Sequence, residues 1–221
     1  GVILFLSLLL GYPFFPMLPF SLIFSPMLLF FYLFGVTFLG AIDDLWGEKE
    51  CKGLRGHLKK FLRGEGVSTG IYKAAGGLLL GTFVSYRIYG GHWSFWFMGG
   101  LYLALLSNLF NLLDTRPGRV VKTFVLTSLP LILYFNFAWL LAPIWVGLAI
   151  YLPWEEKRLI MLGDAGAYLL GGFLGFASLF VLSFKVVILL NLFLLALHLF
   201  CEKYSLNSIM EKMFLRGGKS H

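Results

Sequence analysis

Long apolar runs, parted by short polar intervals, follow one another along the whole chain. A helix needs about 20 apolar residues to cross the hydrocarbon core, somewhat fewer where flanking side chains reach the interface. On that ruler the pattern predicts eight spans, at roughly 1–17, 20–42, 70–89, 95–114, 121–137, 138–153, 166–184 and 186–202. The first is short and interrupted by Pro13 and Pro16, and the fifth and sixth are separated only by a tight turn near Asn136, a spacing that also suits a re-entrant hairpin. The expected fold class is therefore all-α, a polytopic transmembrane helix bundle of about eight spans. No polar stretch is long enough for a separate soluble domain, so residues 1–221 read as a single integral membrane domain. Gly1 already lies inside an apolar run and no Met precedes it, so an upstream helix is expected.

Polar positions set the orientation. Intervals joining odd to even spans are nearly charge-free, as in Tyr89–Ser94, and only Arg87 and Lys185 lie on that side. The opposite side carries 16 of the 18 Lys and Arg residues and all 11 Asp and Glu residues. The positive-inside rule makes that side cytosolic, which predicts a multi-pass protein of the cell (inner) membrane with its polar face toward the cytosol. Composition agrees: 59% of residues are hydrophobic and 13% charged, against about 25% charged in an average soluble domain. The net charge of +7 becomes a property of the cytosolic surface, suited to anionic head groups or a phosphorylated substrate. It does not suit nucleic acid, because the basic residues sit in short juxtamembrane loops. Cys51 and Cys201 are too few for a disulfide framework or a zinc site and are expected as free thiols.

Three polar clusters sit at the cytosolic ends of spans: Asp43-Asp44 after Gly40-Ala41-Ile42, Asn108-Leu-Phe-Asn111-Leu-Leu-Asp114, and Met161-Leu-Gly163-Asp164-Ala-Gly166. One carboxylate at a helix end is ordinary, since charge reaches water there. Three clusters on one side suggest a divalent-metal site that handles phosphate. Magnesium takes oxygen ligands, usually one or two carboxylates plus substrate phosphates. Asp43, Asp44 and Asp164 can supply them from two helix ends. Adjacent helical residues point about 100° apart, so Asp43 and Asp44 need not both bind the ion. Asn108, Asn111 and Asp114 are spaced three apart and share a helical face. That stripe should face the bundle interior, either as helix–helix glue or to hydrogen-bond a nucleotide, a sugar or a metal-bound water.

The loop between the second and third spans contains a basic stretch with Leu54, Leu58, Phe61 and Leu62 at helical spacing, which fits the membrane interface. Lys73 follows Ser68-Thr69-Gly70 by one turn, where it can snorkel or neutralise a diphosphate. The small residues of Gly163-Asp164-Ala-Gly166 let backbone N–H groups approach an anion at a helix N-terminus, and Gly171-Gly172 permits close helix packing.

In this order, Gly40-Ala-Ile-Asp43-Asp44, Thr69-Gly70-Ile-Tyr-Lys73, Asn108-Leu-Phe-Asn111-Leu-Leu-Asp114 and Met161-Leu-Gly163-Asp164-Ala-Gly166 resemble the polyprenyl-phosphate N-acetylhexosamine-1-phosphate transferases. That family includes phospho-N-acetylmuramoyl-pentapeptide transferase and the enzymes that initiate teichoic-acid and O-antigen assembly. The resemblance covers most of residues 35–172. It implies a bundle of about ten helices, of which the eight here would be the second to ninth. It also implies transfer of a sugar-1-phosphate from a nucleotide sugar, typically a UDP-N-acetylhexosamine, to a polyprenyl phosphate in cell-envelope glycan synthesis. Magnesium would be required, with manganese as a stand-in, and a homodimer is compatible. By the same resemblance Asp44 and Asp164 look like the metal residues, Asp43 like the acid near the acceptor phosphate, and Asn108, Asn111 and Asp114 like the polar set on the nucleotide-sugar side.

The chain departs from the pattern where Asp114 is followed by Thr115-Arg116-Pro117-Gly118-Arg119. The family usually continues Gly-x-Asp-Gly, so Pro117 replaces a carboxylate and two arginines appear beside it. Gly47 stands where a third acid is common, and His198–Asn207 replaces the family's late sugar-reading loop. This describes a divergent member. The preferred expectation is an active phosphoglycosyltransferase in which Arg116 and Arg119 offer bidentate phosphate contacts. The alternative is a catalytically inactive member that binds the lipid carrier or scaffolds a cell-envelope complex. Retained carboxylates, which confer little on a scaffold and are costly near lipid, weigh against it.

Overall fold

The computed structural model describes residues 26–47, 60, 62, 63, 66–135 and 137–203. These form seven long helices and no strand: α1 (Pro26–Trp46), α2 (Thr69–Tyr89), α3 (Trp93–Leu113), α4 (Arg119–Phe135), α5 (Ala138–Glu156), α6 (Gly163–Leu179) and α7 (Phe184–Lys203). Helices stand where the second to eighth spans were expected, with ends shifted by a few residues, and residues 20–25 of the second lie outside the described residues. The first, at 1–17, and much of the basic stretch, including Leu54, Leu58 and Phe61, lie outside the described residues. By length and composition, three helices can each cross a membrane: Pro26–Trp46, Trp93–Leu113 and Phe184–Glu202. The others are shorter or carry more polar and small residues. α6, at 17 residues, spans only about 26 Å at 1.5 Å per residue.

That shortness is tolerated because α6 is sheathed. Every residue from Ala165 to Leu179 is buried. Helix α6 packs on α1, α3 and α4, while α1 also packs on α2 and α2 on α3. The result is a four-helix group in the cyclic order α1–α2–α3–α6. Helix α7 lies against α3, and the α4–α5 hairpin completes the described bundle on the α6 side. Exposure runs the other way from a soluble protein. Phe31, Phe34 and Phe38 of α1 and Leu189, Leu192 and Phe193 of α7 face outward, as a lipid-facing surface requires.

Lipid is as apolar as leucine, so helices in a bilayer associate through close packing and internal hydrogen bonds. Both are visible. A Cβ on Gly100 would meet Thr82 Cα at 2.5 Å where α2 crosses α3, and one on Gly171 would meet Ser107 Cα at 2.8 Å where α3 crosses α6. A Cβ on Gly40 would lie 2.6 Å from Ala165 Cα and 2.7 Å from Asp164 O. The Gly40 contact is with backbone, so no side chain can swing away to relieve it. Buried hydroxyls pair across helices, Tyr102 Oη with Ser178 Oγ at 2.9 Å and Trp145 Nε1–H donating to Ser128 Oγ at 3.1 Å. In α7, the Asn191 amide donates to Met98 O of α3 at 2.8 Å.

Gly40 lies one turn from Asp43-Asp44 and touches the first turn of α6, so its packing sets the spacing of two carboxylate-bearing ends. Gly40→Ala should destabilise the protein by about 1–3 kcal/mol, the usual cost of overpacking. Gly77→Ala meets only Ala104 Cβ at 4.0 Å and should be neutral, or stabilising by up to about 1 kcal/mol through helix propensity. Thermal melts of both variants in the same detergent check the contrast.

Candidate functional site

Antiparallel alternation brings the ends of six helices to one end of the bundle: the C-termini of α1, α3 and α5 and the N-termini of α2, α4 and α6. Gly163 begins the last of these with φ +69°, a left-handed conformation that glycine adopts without strain. The turn points the first N–H groups of α6 back toward α1 and α3. Asp44 Oδ1 accepts from Asp164 N–H at 2.9 Å, and its Oδ2 accepts from Ala165 N–H at 3.0 Å. The Gly163 backbone N–H lies near enough to the Asp114 carboxyl to favour its charged form. Two carboxylates from two other helices therefore occupy the α6 N-terminus, where an anion was expected from small residues alone. The anion is the protein's own, which satisfies the unpaired N–H groups and complements the helix dipole.

Behind that clasp sits Lys73, 7% exposed, inside the four-helix group. Its Nζ donates to Asp43 Oδ2 and to Asp164 Oδ2, each at 2.5 Å. The ammonium also lies 4.9 Å from the centre of the Tyr168 ring, within range of a cation–π attraction. Tyr168 in turn donates its hydroxyl hydrogen to Asn108 Oδ1 at 2.8 Å, and the Asn111 amide donates to Asp164 Oδ2 at 3.3 Å. Asp43, Asp164, Asn108 and Asn111 thus belong to one network centred on Lys73. The Asn stripe faces inward, as its spacing predicted.

The third part of the site is the α3–α4 loop. Gly118 adopts φ +72°, and its N–H donates to Glu155 Oε2 at 3.0 Å. Glu155 is 3% exposed, at the C-terminal turn of α5. Lys122 and Glu156 pair at 2.7 Å one turn further out. Arg119 donates to Thr115 Oγ1 within the loop, and Arg116 is exposed on it. Glu155 and Tyr168 were not among the sequence-derived candidates. Tyr168 had a usable signal, since it stands four residues after Asp164 and so on the same helical face. Glu155 had none, because its place beside Asp114 depends on how the α4–α5 hairpin folds back.

Burial pushes the Asp114 carboxyl up to about 6, with Glu155, Asp164 and Asp44 adding like charge and the Gly163 N–H partly opposing them. A carboxyl whose folded pKa is raised adds stability below its ordinary pKa, and that stability is lost as pH rises through the folded value.

Metal fit follows from the same geometry. Among the described residues no three His, Cys, Asp or Glu side chains group closely enough to hold a metal ion by themselves. Hard oxygens are nonetheless abundant, and a carboxylate oxygen that accepts an N–H keeps a further lone pair. Magnesium commonly takes only one or two protein carboxylates, with water and substrate phosphate completing the shell. Asp44 and Asp164, joined through the first turn of α6, fit that habit.

Asp114→Asn should therefore gain stability over the wild type at pH 7–8, by about 1 kcal/mol once solvent screening of this partly exposed group is allowed for. The gain should shrink between pH 6 and pH 4 and vanish below about pH 4, where both side chains are neutral. Denaturation curves in detergent across that range check the sign.

No curated protein and no solved structure matches the chain. Residues 26–182 match the family Glycosyl transferase family 4, a segment that begins with α1 and contains every carboxylate, asparagine and lysine of the site. With apolar helices built for lipid and most of its length in that match, the chain belongs to glycosyl transferase family 4.

Proposed function

We propose that the protein transfers a sugar-1-phosphate from a nucleotide sugar, a UDP-N-acetylhexosamine by preference, to a polyprenyl phosphate at the cytosolic face of the cell membrane, in cell-envelope glycan synthesis. One observation carries the reading: Asp43 and Asp164, from two different helices, share the buried Lys73, while Asp44 holds the same first turn of α6 and Asp114 feels the charges of Asp44, Asp164 and Glu155. More carboxylates than cations at one end of the bundle suit a site that works with further cations and phosphates, and they would be an expensive way to join helices.

In the proposed reaction an acceptor phosphate oxygen attacks the sugar-bearing phosphorus of the donor. A new P–O bond forms, the anhydride P–O bond breaks, and the nucleoside monophosphate leaves with that oxygen. Such transfers depend mostly on alignment and charge neutralisation. Asp43 stands at the lipid-exposed helix α1 and orients the acceptor phosphate with Lys73. Arg116 and Arg119 present guanidinium groups to the donor phosphates on the exposed loop, where a planar fork can bind in two places. Asn108, Asn111 and Asp114 line the inner wall on the donor side, and Glu155 holds the loop that carries the arginines. Asp44 and Asp164 would hold magnesium, which supplies charge neutralisation for the donor diphosphate when bound. Manganese, another hard-oxygen cation, fits the same donors.

The reading predicts lipid-dependent release of nucleoside monophosphate from at least one nucleotide sugar. Asp44→Asn and Asp164→Asn should each cut the rate by about a hundredfold or more while leaving the melt cooperative. A folded protein that releases nothing from any donor, with polyprenyl phosphate and magnesium present, would instead support a non-catalytic lipid-carrier binder.

A further inference from the structure

The cation already seated between Asp43 and Asp164 belongs to the protein. Lys73 Nζ lies 2.5 Å from Oδ2 of both carboxylates, and the Lys73 side chain is 8% exposed. It reaches this place from the first turn of α2, a helix that packs on α1 but stands diagonally across the group from α6. The ammonium is thus the link between two elements that make little other contact there. Tyr168 stacks its ring 4.9 Å from Nζ, and Asn111 shares the Asp164 oxygen that Lys73 uses. Everything around Lys73 is arranged to accept positive charge at that point.

We propose that Lys73 is the resident counter-ion of the site, and that it gives up Asp164 when a divalent cation binds there. A dication and an ammonium compete for the same carboxylate oxygens, and like charges a few ångströms apart repel strongly in a site with little water. While Lys73 holds both carboxylates, the free protein carries its own neutralisation and binds metal weakly. Removing the ammonium leaves the pocket short of positive charge and opens it to metal. The inference takes from the proposed function only that a divalent cation enters this site.

The probe is Mn2+ alone, titrated into the purified full chain in detergent, without nucleotide or lipid, and read by electron paramagnetic resonance. Lys73→Gln, which keeps hydrogen-bond donors but removes the charge, should bind Mn2+ at least tenfold more tightly than the wild type. Lys73→Arg, which keeps the charge, should stay near the wild-type affinity. A purely structural lysine would not separate the two variants in this way. Should Lys73→Gln be unstable without metal, Mn2+ should raise its melting temperature by several degrees and leave that of the wild type nearly unchanged. Equal affinity in wild type and Lys73→Gln, or equal gains in Lys73→Gln and Lys73→Arg, would overturn the proposal. Because no substrate is present, these outcomes are independent of whether transfer is detected with any donor.

Discussion

The first turn of α6 is the constraint on which the rest depends. A helix begins with unpaired N–H groups and a partial positive charge, and in a bundle end shielded by neighbouring helices these cannot be left bare. Here Asp44 from α1 takes two of those N–H groups, and the carboxyl of Asp114, at the end of α3, feels the N–H of Gly163. The bonds fix the ends of α1 and α6 with respect to one another and leave Asp164, in the same turn, facing Lys73. Helix α6 is buried along its whole length from Ala165, so its N-terminus cannot shift without disturbing α1, α3 and α4. The position of the carboxylates is therefore set by the same contacts that hold the bundle.

Close approach makes that clasp geometrically available. Gly40 lets α1 come against the backbone of Ala165, and Gly171 lets α3 come against α6 at Ser107. Larger residues would separate these helices by an ångström or more, and the hydrogen bonds between Asp44 and the α6 N–H groups would stretch beyond use. In a bilayer, where apolar burial gives no net drive between helices, small residues serve both association and placement of the chemistry. The exposed phenylalanines of α1 and leucines of α7 meet lipid and carry none of that burden.

Charge balance then shapes the interior of the site. Carboxylates brought together at partial burial repel one another, which appears in the raised pKa of Asp114 beside Glu155. Lys73 offsets only part of this. The excess of negative charge at this end of the bundle leaves room for further cations, and the arginines of the α3–α4 loop lie at its edge. The left-handed Gly118, tied to Glu155, holds that loop against α5.

Hydrophobic runs of span length, one-sided charge and three polar clusters in order were enough to determine from the sequence an all-helical membrane bundle, its helix ends to within a few residues and the family. The i, i+3 spacing of Asn108, Asn111 and Asp114 was likewise sufficient to place them on one inward face, because a helical period is a local property. Tertiary structure decided what each carboxylate touches. That Asp44 would cap α6, that Lys73 would bridge Asp43 and Asp164, and that Glu155 would stand beside Asp114 all depend on which helices are neighbours and how closely glycines let them approach. Those are contacts between residues up to 121 positions apart, and no local periodicity encodes them.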